Sequence, residues 1–383
     1  MAEAFKNLLN AKLVQQAALR LQAAAPGFDG DRFARLASQG LDALELKARA
    51  LHIAQALQAT LPSSFHLAAS QIEAALAPPE SGEAMAQLQG LDKGLRGWIL
   101  WPVGEYIAQQ GLAYPERALQ ALHALTQRFT AEFAIRPFIQ HHPELSLATL
   151  ARWVQDDSAH VRRLVSEGSR PRLPWGQQLK ALIQDPRPTL PLLQALQDDP
   201  SDYVRRSVAN HLNDIAKDHP HLVAQWLHEH LPQAPAQRRQ MLKHASRTLI
   251  KAGDPAVLKA WGLGGRFRGQ ATLKVSPARV ALGGQVQLAL LLQSSSPRAQ
   301  TLAIDYAVHH VKADGSTSPK VFKGWQVELP AQGELLLTKK HAMRLITTRR
   351  YHAGRHGLAV QINGQVVADG SFVLQMPQKG SHD

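Results

Sequence analysis

The sequence predicts a two-part chain. An all-α solenoid of HEAT-like helical hairpins fills residues 1–264, a linker spans 265–271, and an all-β sandwich of immunoglobulin type follows over 272–376. Three observations predict this. Apolar residues recur at three and four up to about residue 264, a helix-pair pattern repeats at a spacing near 40, and beyond residue 270 the apolar period drops to two.

In the first part Leu41, Leu44, Leu46, Ala50 and Ile53 form one helical stripe, and Leu119, Leu122 and Leu125 another. Prolines 62, 79, 102, 115, 143, 200, 220 and 255 punctuate the helices, because proline lacks the N–H that a helix interior needs. The repeat starts near residue 136. "AEFAIRPFIQHHPELSLATLARWV" and "YVRRSVANHLNDIAKDHPHLVAQWL" each read as helix, His-Pro break, helix, and "RRQMLKHASRTLIKAGDPAVLKAW" as a shorter third copy. The "VRR" triplets at 161 and 204 are 43 residues apart. Hairpins repeated at this period bury one face on the next pair and stack.

In the second part Val286, Leu288, Leu290 and Leu292 alternate with other residues, as do Leu302, Ile304, Tyr306 and Val308. Asn363-Gly364 and Asp314-Gly315 are turn dipeptides between such runs. Short strands of this kind in about 105 residues predict an antiparallel sandwich.

The chain has no cysteine and a net charge of +13. Disulfides, thiolate zinc sites and a cysteine nucleophile are excluded. The opening "MAEAFKNLLNAKLVQQAALRL" lacks the unbroken apolar run of a signal peptide, and no stretch reaches the ~18 apolar residues of a membrane span. A cytoplasmic, bacterial-type protein with no membrane partner is expected, monomeric, and nucleoid-associated when bound to DNA. The charge favours a polyanionic partner. Most of it sits beyond residue 264, where 15 Lys and Arg face 6 Asp and Glu. The run 339–356 holds Lys339, Lys340, Arg344, Arg349, Arg350 and Arg355 with three histidines and no acid. It reads as a phosphate-contacting strand and loop, or as an edge strand whose charge resists aggregation.

"DDSAHVRRLVSEGSRPRLPW", residues 156–175, gathers three carboxylates and four arginines. Val161, Leu164 and Val165 make its buried stripe, while Arg163, Glu167 and Arg170 share another face. In the next repeat Val204, Val208, Leu212 and Ile215 are apolar, and Arg206, Asn210, Asn213 and Asp214 project elsewhere. One repeat earlier Glu132 and Arg136 stand four apart. Such spacings make surface ion pairs worth a few tenths of a kcal/mol each. Their recurrence in register also sets carboxylate, arginine and amide groups along one wall.

These motifs carry a resemblance. "LTQRFTAEFAIRPFIQHHPE", "HVRRLVSEGSRPRLPW" and "YVRRSVANHLNDIAKDHP", with "GLDALELKARALHIAQAL" and "WILWPVGEYIAQQGL" before them, are similar to the AlkC branch of the AlkD-like DNA glycosylases over about residues 5–260. The sandwich resembles the immunoglobulin-like domain of one subset of that family. The resemblance implies a monofunctional glycosylase acting on duplex DNA. Its expected substrates are N3-alkylated bases, 3-methyladenine and 3-methylcytosine, removed without full base flipping.

The residue types suit that chemistry. An N3-methylated base is already a good leaving group, so no strong general acid is required. Cleavage leaves positive charge on the sugar, which carboxylates stabilise while one of them orients water. Aromatic faces attract cations, and arginines hold phosphates. No cofactor and no metal are needed, and neither a Walker A loop nor a GxGxxG is present. The candidate catalytic carboxylates are Glu132, Glu167, Asp156 and Asp157, the last two equally suited to capping a helix. The resemblance implies that Glu132 falls in the repeat corresponding to the one that carries the catalytic carboxylate in AlkD, that Arg163 corresponds to a phosphate-contacting arginine of AlkD, and that Asn210 falls where AlkD has a tryptophan, so the AlkD aromatic cleft is not fully reproduced. Candidate lesion or DNA contacts are Arg163, Arg170, Arg172, Trp153, Trp175, Arg206, Asn210 and Asp214, with the six basic residues of 339–355. Trp153 also fits a core position, Trp175 is as suited to packing as to lesion contact, and Trp98 and Trp101 read as packing. The rival readings are a non-enzymatic DNA-binding scaffold and a protein-interaction module.

Overall fold

The computed structural model describes residues 5–82, 90–263, 266–346 and 349–376. Gly265, the first residue of the expected linker, and residues 1–4 of the opening lie outside them. The described residues form two compact units, one of residues 1–219 with 234–245 and one of 220–233 with 246–383. The change from helix to strand itself falls between Ala260 and Gly269.

The first unit is helical: α1 (Ala11–Ala24), α2 (Gly30–Ser38), α3 (Leu46–Thr60), α4 (Phe65–Ala75), α5 (Leu100–Gln110), α6 (Pro115–Thr126), α7 (Arg136–His141), α8 (Pro143–Trp153), α9 (Ala159–Gly168), α10 (Lys180–Gln184), α11 (Leu190–Leu196), α12 (Asp202–Asp218) and α14 (Ala236–Ala245). The second unit holds α13 (Pro220–His230), α15 (Arg247–Ala252) and α16 (Pro255–Ala260) with the strands. Pro115, Pro143, Pro220 and Pro255 each open a helix, where the missing N–H has no intrahelical partner to lose. Pro102 differs from its expected role as a break. It sits in the first turn of α5, where the same reasoning lets the helix run through it.

The expected stripes of α9 and α12 are core, whereas the run from Leu41 to Ile53 is not one helical stripe: Leu41 lies in a 3-10 turn, Leu44 and Leu46 are half-buried, and Ala50 and Ile53 are buried on α3. Val161, Leu164 and Val165 on α9 and Val204, Val208, Leu212 and Ile215 on α12 are at most 1% exposed. The helices α9, α12 and α14 pack side by side. The hairpin turns repeat as well. Asp156 Oδ1 accepts from Ser158 N at 2.8 Å, and Asp199 Oδ1 from Ser201 N at 2.9 Å. The first arginine of each "VRR" reaches back over its own turn. Arg162 donates to the carbonyls of Asp156 and Asp157 at 2.7 and 2.9 Å, and Arg205 to those of Asp199 and Pro200 at 2.6 and 2.9 Å. Arg162 also bridges to the next repeat through both oxygens of Asp199.

The strands are β1 (Gly269–Ser276), β2 (Arg279–Ala281), β3 (Gln285–Ser294), β4 (Gln300–Val311), β5 (Thr317–Leu329), β6 (Glu334–Ala342), β7 (Gly354–Ile362) and β8 (Gln365–Gln375). They form sheets ordered β1-β3-β6 and β2-β8-β7-β4-β5, antiparallel except for β2 against β8. The alternating residues of β3 and β4 face inward and are buried, together with Val360 on β7 and Phe372 on β8. Asn363 and Gly364 turn β7 into β8 with φ of 49° and 79°, the left-handed pair of a two-residue hairpin. A Cβ on Gly364 would lie 2.2 Å from Gly253 Cα, so backbone packs on backbone where this turn meets the end of α15.

Candidate active site

The first unit contains a cleft of about 420 Å³. Its floor is aromatic. Trp98, in the 3-10 turn just before α5, and Trp101, in the first turn of α5, have ring centres 6.1 Å apart. Trp98 meets Phe129 at 5.3 Å, and Trp101 stacks on Phe133 at 5.3 Å. Both tryptophans therefore face the cleft as well as packing. Glu132, between the two phenylalanines in sequence, brings its carboxylate to the same space, and α9 contributes Arg163 and Glu167. The loop after α9 adds Arg170 and Trp175, and α12 adds Tyr203.

The charged groups form one alternating ladder. Glu132 Oε2 lies 2.6 Å from Arg163 Nη1 and accepts from Thr130 Oγ1 at 2.8 Å. Arg163 Nη1 also donates to Thr130, Nη2 lies 3.6 Å from Glu167 Oε1, and the guanidinium sits 5.1 Å from the Tyr203 ring centre. Glu167 Oε1 accepts from Arg170 Nη1 at 2.6 Å, and its Oε2 accepts from Ser207 Oγ at 2.5 Å. Arg170 Nε donates to Asp214 Oδ2 at 2.8 Å, and Lys217 closes the row on Asp214 Oδ1 at 2.9 Å. Among the described residues Glu132 Oε1 has no hydrogen-bond partner.

Burial works to raise the Glu167 carboxyl, yet Arg163, Arg170 and the Ser207 hydroxyl together hold it below the usual carboxylate range. Burial opposes the charge on Arg163 and Arg170 too, and the flanking carboxylates more than offset it, so both are held above the ordinary value. Glu167, Arg163 and Arg170 thus favour their charged forms in the low-dielectric wall, which fixes the Glu167 carboxylate in place. Arg136 behaves differently from its expected pairing with Glu132. It is fully buried, donates to Gln177 O and Gly168 O, and burial, aided by the Arg170 charge, pushes it down to about 10.

Of the expected site residues, the structure brings together Glu132, Glu167, Arg163, Arg170 and Asp214, with Trp175 on the same cleft. Arg163 and Arg170 are occupied with carboxylates, which differs from the phosphate contact expected of them. Asp156 and Asp157 stand apart from the cleft and serve the turn before α9. Asp156 Oδ2 further lies 2.7 Å from His123 Nε2. Trp153, its ring 5.2 Å from that of His123, lines a separate groove between α6 and α8. Arg172 is held by Asp218 at 2.7 Å, exposed Arg206 by Asp202 at 2.6 Å, and Asn210 Oδ1 lies 3.0 Å from His244 Nε2. In the sandwich Lys340, Arg344, Arg350 and Arg355 are exposed and Arg349 is half-buried. Lys339 Nζ donates to Gly324 O at 3.0 Å and lies 5.5 Å from the Trp325 ring centre.

Sequence reasoning missed Thr130, Tyr203 and Ser207 and did not give Trp98 and Trp101 a place on the cleft. Tyr203 and Ser207 are four apart at the start of α12, so they share the face that meets α9, a signal that was available.

A family model described as "DNA alkylation repair enzyme" matches residues 128–249, and one described as the C-terminal Ig-like domain of YhaZ matches 270–376. The chain is 37% identical over 367 residues to the uncharacterized protein YhaZ of Bacillus subtilis (strain 168), covering 94% of this chain and 96% of that one. Its fold matches the Pseudomonas fluorescens alkylpurine DNA glycosylase AlkC bound to DNA containing an abasic site analog. That match has a TM-score of 0.87 at 33% identity and covers 97% of this chain and 100% of that chain. The two-part fold, the cleft in the matched repeats and these likenesses agree: the chain belongs to the AlkC-like family of DNA alkylation repair proteins with a C-terminal immunoglobulin-like domain.

Proposed function

We propose that the chain is a monofunctional DNA glycosylase that hydrolyses the N-glycosidic bond of N3-alkylated bases, 3-methyladenine and 3-methylcytosine, in duplex DNA. The observation that carries this reading is the pair Glu132 and Glu167, braced on either side of Arg163 in an aromatic-floored cleft. Glu132 has an oxygen to spare and orients the attacking water or meets the sugar directly. Glu167, with both oxygens held, supplies fixed negative charge beside the sugar as it becomes cationic. Asp214, behind Arg170, extends that charge.

The floor of Trp98, Trp101, Phe129 and Phe133, with Trp175 at the rim, offers π faces to a cationic base, at roughly 0.5–2 kcal/mol per ring. The methylated base leaves without strong acid catalysis, so water, these carboxylates and no cofactor suffice. The base is approached within the duplex rather than fully flipped. Exposed arginines and lysines of the sandwich hold the backbone, and the protein works as a cytoplasmic monomer. The likeness to a DNA-bound glycosylase supports DNA as the partner.

The test is incubation of the purified chain with methylated duplex DNA and chromatography of the released bases. Free 3-methyladenine and 3-methylcytosine are expected. DNA binding without release of either base would establish a scaffold instead.

A further inference from the structure

Trp175 is held in an expensive posture. Its φ is 64°, in the left-handed region, and the residue is 78% exposed. A non-glycine residue in that region costs about 1–2 kcal/mol, and an exposed indole gains little from burial. Something outside the dipeptide must fix the posture.

The loop carrying Trp175 closes on itself through Leu179 N to Pro171 O at 3.1 Å and Gly176 N to Leu173 O at 3.2 Å. It is then gripped from α7 at one residue, Gln177. Arg136 Nε donates to the Gln177 carbonyl at 2.5 Å, and Gln140, one helical turn on, accepts from the Gln177 side-chain amide. The other arm of the same guanidinium, Nη1, donates at 2.8 Å to the carbonyl of Gly168, the last residue of α9 and the neighbour of Glu167. One buried cation therefore spans the end of the helix bearing a site carboxylate and the loop bearing the tryptophan. The negative end of the α9 dipole suits it.

Stability alone does not explain Arg136. Among the described residues it is the largest fully buried side chain, and its Nη2 is buried without a hydrogen-bond partner. Apolar residues of similar volume often fill such space at no loss. What they cannot do is hold two carbonyls in fixed relation.

We infer that α7 is a clamp, with Arg136 and Gln140 as positioning residues that set Trp175 over the cleft in register with Glu167. The catalytic half of this inference rests on the glycosylase reading above; the clamp itself does not.

The test uses the full chain labelled with 5-fluorotryptophan, the Trp175 resonance being assigned from Trp175→Phe. Gln140 is exposed, so Gln140→Ala folds, whereas Arg136→Lys tests the buried arm. In both variants the Trp175 resonance is expected to shift or broaden while those of Trp98 and Trp101 stay. The kcat of base release is expected to fall three- to tenfold in Gln140→Ala and tenfold or more in Arg136→Lys, with KM within twofold. If Arg136→Lys fails to fold, Gln140→Ala decides. An unmoved Trp175 resonance overturns the clamp, and a moved resonance with unchanged kcat overturns the positioning role. If the wild-type chain releases no base, the glycosylase reading fails and the fluorine spectrum alone judges the clamp.

Discussion

Under the proposed reading, Trp175 and Glu132 are the single residues that mark the site. Both leave something unsatisfied, a strained backbone and exposed ring in one case and, among the described residues, a carboxylate oxygen without a donor in the other. Stability would remove such features; function retains them. Asparagine tolerates the left-handed region better than tryptophan does. Trp175→Asn is therefore expected to leave the urea-unfolding free energy unchanged or raise it by up to about 1 kcal/mol, while base release falls at least tenfold. A destabilised variant with full activity would make Trp175 a packing residue.

At the scale of elements, the repeated helices α9 and α12 do two jobs with two arginines. The first arginine of each "VRR" ties the turn before its helix, and on α9 the second enters the ladder of charges. Because that ladder is buried, its members are not interchangeable with surface pairs. Arg170→Met removes the cation between Glu167 and Asp214, leaving them only Arg163 and Lys217 on their far sides, and a loss of about 3–5 kcal/mol is expected in chemical denaturation. Arg206→Ala breaks the exposed pair with Asp202 and is expected to change stability by less than about 1 kcal/mol. Equal effects would mean that the ladder is not a buried network.

Two buried histidines give the elements a pH dependence. Burial pushes His211 on α12 and His341 on β6 down to about 4, against about 6.5 in an unfolded chain. As pH falls from 6.5 towards 4 the unfolded state takes up protons that the folded state refuses, so stability is lost on acidification. At pH 5 the loss is about 2 kcal/mol for each histidine. Urea titrations at pH 7 and 5 should show it, and His211→Gln and His341→Gln should each flatten the difference. A pH-independent midpoint would contradict their burial in neutral form.

For the whole molecule, the fold was legible because periodicity is a local property. Val286 to Leu292 and Leu302 to Val308 announce their strands, and the "VRR" spacing announces the stack. The grouping of α13, α15 and α16 with the strands was not legible, since their helical period continues that of the preceding repeats. The site was legible within one helix, where Arg163, Glu167 and Arg170 share a face by spacing alone. It was not legible across helices. Nothing in the spacing of Asp156 and Asp157 distinguishes a turn from an active site, and the grip of Arg136 on Gly168 and Gln177 joins residues 32 and 41 positions away.

The excess charge of the sandwich is a property of the same scale. Lys340, Arg344 and Arg350 point outward, and with phosphates as their partners each adds about 0.9 to the slope of log affinity against log salt. Changing all three to glutamine should lower that slope by about 2.7. An unchanged slope would remove this surface from the DNA interface.

The central claim is that the Glu132 carboxylate acts on the deoxyribose as the base departs. The direct measurement is the single-turnover rate of 3-methyladenine release by Glu132→Gln, set beside its affinity for duplex DNA containing an abasic-site analogue. The expected result is a rate at least a hundredfold below wild type with affinity within threefold, since the amide keeps the shape and loses the charge. Release at the wild-type rate would contradict the claim.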